Sequence, residues 1–166
     1  TGNDRGLDPM LAPGVTPLIR AAKAMDVESM KALLDHGADI TLTTSRNMTA
    51  TLAASGMGST DADTRGYFTT SDVQDRAIAA LDLMFGAGAP GLVNGKAGQF
   101  AQVPLHGAAF WGWNRVVEYL LQKGAEINLA DSRGYTAVDY AMGRAGGNSR
   151  GGQRIDVHKD LSLIHI

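Results

Sequence analysis

Apolar residues along the chain recur at helical spacing in two alternating kinds of short block. In the first kind, Leu18, Ala21 and Ala22 share one face behind Thr16-Pro17. Thr16 is suited to cap this block, and Pro17 fits its first position, where a missing N–H costs nothing. The second kind carries Val27, Met30, Leu33 and Leu34 on one face and stops at Gly37. Glycine there enters the left-handed conformation cheaply, and Gly88 and Gly124 are expected to do the same later in the chain. The pattern predicts helices over 17–24 and 27–36, 50–56 and 72–86, 104–111 and 114–123, and a lone helix near 137–142.

The blocks repeat at fixed offsets. Thr16-Pro17-Leu18-Ile19, Ala21-Ala22, Leu33-Leu34 and Gly37-Ala38-Asp39-Ile40 return as Val103-Pro104-Leu105-His106, Ala108-Ala109, Leu120-Leu121 and Gly124-Ala125-Glu126-Ile127. The start-to-glycine interval is 21 residues in both copies, and Thr49 and Thr136 open further copies 33 residues after Thr16 and Val103. These motifs resemble the ankyrin repeat. The resemblance implies an all-α ankyrin-repeat solenoid: helix-turn-helix units joined by hairpin-like loops, about four repeats with the last incomplete. One helix pair buries a single face, so neighbours must stack to complete the core.

This register makes 1–13 an extension or the end of a preceding repeat, and 14–160 the repeat domain. The repeats fall at about 14–46, 47–97, 98–130 and 131–160. The second is interrupted: Thr49 to Gly88 is 39 residues where 21 are needed, which places an insertion within 57–74. Ser71-Asp72-Val73-Gln74 reads as the capping box that reopens the helix. The stretch from Gly88 to Val103 holds three residues more than the pattern requires. In the last repeat the glycine-rich run 143–152 reads as a loop, with Ile155 to Lys159 as the start of an outer helix. The final hexapeptide, 161–166, corresponds in frame to CTG TCT CTT ATA CAC ATC, which resembles a transposon-end sequencing adapter. It is expected to be a non-native tail on a bacterial-type fragment.

Composition narrows the function. Fifteen basic and 17 acidic residues give a net charge of −2, which argues against a dedicated nucleic-acid or anionic-membrane binder. With no cysteine there is no disulfide framework, thiolate metal site or Cys nucleophile. The four histidines stand singly, and His106 occupies the position where the resemblance implies loop hydrogen bonds. Asp61-Ala62-Asp63-Thr64-Arg65-Gly66 and Asp72 echo a calcium loop, but Arg65 is a cation where an oxygen ligand is needed. The run 143–152 lacks the phosphate-loop order and no G-x-S-x-G is present, so no catalytic, metal or cofactor site is expected.

Aromatic side chains are the stronger signal. Phe100, Phe110, Trp111 and Trp113 crowd the third repeat, whose core places are already filled by Leu105, Ala108, Ala109, Val117, Leu120 and Leu121. The resemblance implies that Phe100, Gln102, Phe110 and Trp111 lie on a concave binding face. Arg46, Met48, Arg133 and Tyr135 take the same places in neighbouring repeats, and Arg144 lies at the rim. Grouped exposed aromatics mark binding hot spots. The expected function is non-catalytic protein–protein interaction through that face, by a monomer whose partner is a protein rather than a nucleic acid or membrane. Two alternatives stay open: a regulatory or targeting segment of a larger enzyme, and an ion or small-ligand sensor using the insertion.

Overall fold

The computed structural model describes residues 13–59, 70–88 and 91–145. The calcium-like loop residues 61–66, Tyr67, Phe68, the glycine run beyond Ala145 and the 161–166 tail lie outside them. Seven α-helices are present among the described residues: α1 (Pro17–Ala24), α2 (Val27–Asp35), α3 (Ala50–Ala54), α4 (Thr70–Ala87), α5 (Pro104–Trp111), α6 (Asn114–Gln122) and α7 (Ala137–Ala141). The odd-numbered helices stack on one another as an inner layer, and α2, α4 and α6 stack as an outer one. A single apolar core runs from Leu18 to Ala145 between the layers.

Local chemistry sets the helix starts. The hydroxyls of Thr16 and Thr49 accept hydrogen bonds from the N–H groups of Ile19 and Leu52, each at 3.2 Å. Asp26 does the same for Ser29 at 3.1 Å. At the place of Asp26, the third repeat carries the buried Trp113, which cannot cap α6. The previous outer helix supplies what is missing: Gln74 Oε1 accepts the Arg115 N–H at 3.0 Å. Val103 likewise has no capping hydroxyl, and its N–H donates to His106 Nδ1 at 3.0 Å. The other ring nitrogen therefore carries the proton and donates to the Leu129 carbonyl at 3.0 Å. Burial of this imidazole holds its pKa below the ordinary histidine range, so it stays neutral.

Two sequence expectations change at the second repeat. Helix α4 begins at Thr70, inside the stretch assigned to the insertion, two residues before the predicted start at 72. Gly88 does not adopt the left-handed conformation found at Gly37 and Gly124. A Cβ there would meet the Met84 carbonyl at 2.9 Å, along with the side-chain ends of Leu92 and Ile40. The extra residues after it include a 3-10 turn, Leu92–Asn94. Asn94 fastens this turn to the next repeat, donating to the Gly124 carbonyl at 3.1 Å and accepting the Glu126 N–H at 2.9 Å.

Packing between α3 and α5 is close. A Cβ on Gly107 would meet Ser55 Oγ at 2.5 Å and the Ser55 carbonyl at 2.7 Å. That explains a glycine in mid-helix, where Ala would otherwise be favoured by about 1 kcal/mol.

Candidate functional site: the hairpin row

The loops entering α3, α5 and α7 each close as a small hairpin. Thr44 donates its N–H to the Met48 carbonyl at 3.1 Å, while its hydroxyl accepts the N–H groups of Arg46 and Met48. Asp131 repeats the arrangement two loops on. Its N–H donates to the Tyr135 carbonyl at 2.9 Å, and Oδ1 accepts from the N–H groups of Arg133 and Tyr135. The third-repeat hairpin is wider: Ala97 and Gln102 exchange two backbone bonds, at 2.8 and 2.7 Å. Adjacent hairpins are zipped by single bonds: Ser45 N–H to the Pro13 carbonyl, Gly98 to Asn47, and Ser132 to Phe100. The result is a continuous row beside the inner helices.

On the last hairpin of the row, Arg133 gathers most of its polar contacts. Its guanidinium donates to Asp131 Oδ2 from Nε at 3.0 Å and from Nη2 at 2.8 Å, and Nη2 also reaches the Tyr140 hydroxyl oxygen at 2.9 Å. Tyr140 donates its own proton to Asp131 and accepts from Gln102 Nε2 at 3.1 Å. The guanidinium lies 3.9 Å from the centroid of Phe100 and 5.1 Å from that of Tyr135. Burial opposes ionisation of Asp131, but hydrogen bonds from Arg133, the Tyr135 N–H and Tyr140 outweigh it and hold the carboxyl below its ordinary range. Burial and the bond to that carboxylate push the Tyr140 phenol up to about 12. The cation is therefore pre-oriented, with 27% of its side chain still open to solvent.

The expected binding residues separate into three groups. Phe100, Arg133 and Tyr135 come together along the hairpins, the two rings half-buried, and Arg46 is exposed on the hairpin next to that of Phe100. Met48 and Gln102 do not belong to the surface. Met48 packs into the core at 8% exposure, and Gln102, at 7%, is turned inward to Tyr140 and to the sulfur of Met57. Phe110, Trp111 and Arg144 lie at the far ends of their inner helices, and Arg144 is paired with Asp139 at 3.4 Å. An eight-residue helix separates Phe110 and Trp111 from Phe100, roughly 12 Å along its axis.

At that far end the aromatics are turned towards the preceding repeat. Trp111 donates its indole N–H to the Gly56 carbonyl at 2.8 Å and stacks on Trp113 with centroids 6.2 Å apart. Phe110 meets Trp111 edge-on at 5.4 Å. A Cβ on Gly56 would sit 2.7 Å from Trp113 and 2.8 Å from Trp111. The pair closes over that glycine. Asp131 and Tyr140 were not among the residues expected from sequence, although Asp131 shares the register of Thr44, five places before the next helix cap.

Residues 14–45 match the family model described as ankyrin repeat, and residues 105–149 match one described as ankyrin repeats in many copies. The chain belongs to the ankyrin-repeat family. Such repeats in general mediate protein–protein interaction and are not themselves catalytic. Palmitoyltransferase AKR1 of Kluyveromyces lactis is 41% identical over 65 residues. The match spans 39% of this ankyrin-repeat chain and 8% of that protein. Among the described residues, no helix is long and apolar enough to cross a membrane, and no three His, Asp or Glu side chains are grouped to hold a metal ion.

Proposed function

We propose that this ankyrin-repeat chain is a non-catalytic module that binds a protein partner along the hairpin row. The observation that carries this reading is the Arg133 assembly, an arginine held by Asp131 and Tyr140 and flanked by Phe100 and Tyr135. Ordering a cation and two rings before contact lowers the entropy cost of binding, and arginine and aromatics dominate interface energies. Arg46 extends the contact to the neighbouring hairpin, while Phe110 and Arg144 lie beyond it, at the opposite ends of the inner helices. Trp111 serves chiefly to join repeats two and three.

Capture of the native partner tests the reading. A Phe100→Ala/Arg46→Ala variant should lose capture at least about tenfold while keeping its helical circular dichroism. An outer-face variant, Lys31→Ala/Lys123→Ala, should keep it. Loss by the outer-face variant instead would move the site to the opposite side of the stack.

A second reading is favoured by the likeness to part of a palmitoyltransferase: a regulatory or targeting segment of a larger enzyme. It uses the same surface, with the partner supplied in the same chain, and the complete gene would decide it.

A further inference from the structure

The near-neutral total conceals a separation of charge between the two layers. Across the outer helices and their turns, residues 26–41, 70–88, 91–94 and 113–128, nine acidic residues stand against four basic ones. Across the hairpins and inner helices, residues 13–25, 42–59, 95–112 and 129–145, six basic residues stand against two acidic ones. The six are Arg20, Lys23, Arg46, Lys96, Arg133 and Arg144. Both acids are already engaged: Asp131 is buried beneath Arg133, and Asp139 accepts bonds at the Thr136 cap and from Arg144.

The zipping of the hairpins places these cations in order. Arg46 adjoins Asn47, whose carbonyl accepts the Gly98 N–H at 2.6 Å, and Lys96 lies two residues before Gly98. Ser132, next to Arg133, donates to the Phe100 carbonyl at 2.8 Å. Arg46, Lys96 and Arg133 therefore follow one another along the row, with the Phe100 ring between the last two. Arg20 shares the register of Gly107 and so lies towards the end of the stack. In the outer layer Lys31, Arg115 and Lys123 each pair with an acid of their own layer, as Arg133 and Arg144 do in the inner one, whereas Arg46 and Lys96 are exposed on the hairpins.

Resting on the protein-binding reading, we infer that the partner presents an acidic segment to the hairpin row, an extended Asp/Glu-rich stretch whose carboxylates meet Arg46, Lys96 and Arg133. Complementary fields speed encounter and reject wrong partners, and the acidic outer layer repels the same segment, which confines it to one side. The exposed position of Arg46 and Lys96 makes the attraction sensitive to salt.

Fluorescence anisotropy with a labelled peptide of about ten glutamates, at low and at moderate salt, tests this directly, with oligolysine and oligothymidine of matched length as rivals. The expected result is binding of oligoglutamate above both rivals, weakened about tenfold by Arg46→Glu/Lys96→Glu and by added salt, and unchanged by Lys31→Glu/Lys123→Glu. No binding, equal binding by the hairpin reversal, or preference for oligolysine overturns the inference. Tighter binding of oligothymidine overturns it too, in favour of a nucleic acid. Capture of the native partner separates this failure from that of the wider reading. If Arg46→Glu/Lys96→Glu retains the partner and Phe100→Ala/Arg46→Ala loses it, the acidic segment is wrong and the hairpin site stands.

Discussion

At the hairpin end of α5, Phe100 and Tyr135 lie against a guanidinium that still reaches solvent. At the other end, Trp111 and Trp113 close over Gly56 and hold the second repeat to the third. Both ends are rich in aromatic side chains, and composition does not separate them. The facing surface does. A charged side chain anchored from below keeps one pair of rings at the surface, whereas a bare glycine backbone gives the other pair a place to pack. Ring area stabilises an interface in the first case and a repeat junction in the second.

The comparison breaks most clearly at the junction. Trp113→Ala should cost about 3–5 kcal/mol in urea unfolding, as loss of a buried ring that also borders Gly56. A change below about 0.5 kcal/mol would show that the junction does not depend on it. Midway along α5, Gly107→Ala should cost about 1–3 kcal/mol, because the clash with Ser55 exceeds the gain in helix propensity. A stabilised variant would mean that α3 and α5 sit farther apart.

A pH effect is expected at the hairpin end. His106 is neutral and buried in the fold, with its pKa depressed by desolvation, so below about 6.5 the unfolded chain binds a proton that the folded one does not. The histidine's contribution is whole above that pH and is lost as pH falls towards the folded value. Urea midpoints should therefore drop between pH 7.5 and 5.5, and less so in His106→Gln. Equal slopes in the two proteins would remove His106 from the account.

The smallest effect sharpens the comparison without disturbing it. The residue two places before each inner-helix cap has positive φ: Gly14, Asn47, Ala101 and Gly134. Ala101 is the poorest fit, since a Cβ at φ 52° crowds the following carbonyl. Ala101→Gly should stabilise by about 0.5–1 kcal/mol, after the greater freedom of glycine in the unfolded chain is subtracted. A loss would mean that the Ala101 methyl contributes more by packing than its conformation costs.

What the sequence revealed follows from how local each signal is. Thr16-Pro17, Asp26 and the 33-residue spacing act within a turn or two of the backbone, so the helix limits and the stacking order were legible. Gln74 capping α6, Asn94 gripping the Gly124 loop and Trp111 reaching Gly56 join residues 30 to 55 places apart and leave no local trace. The register of Met48 and Gln102 points to the surface, yet their side chains turn inward, one to the core and the other to Tyr140. The layered charge was present in the sequence throughout.

Single alanine substitutions at the two ends of α5, each measured for both stability and binding, test the division most directly. Phe100→Ala should weaken capture of the native partner by about 2 kcal/mol while changing unfolding by less than about 1 kcal/mol. Trp111→Ala should lose about 1–3 kcal/mol of stability with its stacking and its bond to Gly56, while binding per folded molecule is largely kept. The reverse pattern, with Trp111 controlling binding and Phe100 controlling stability, would contradict the account.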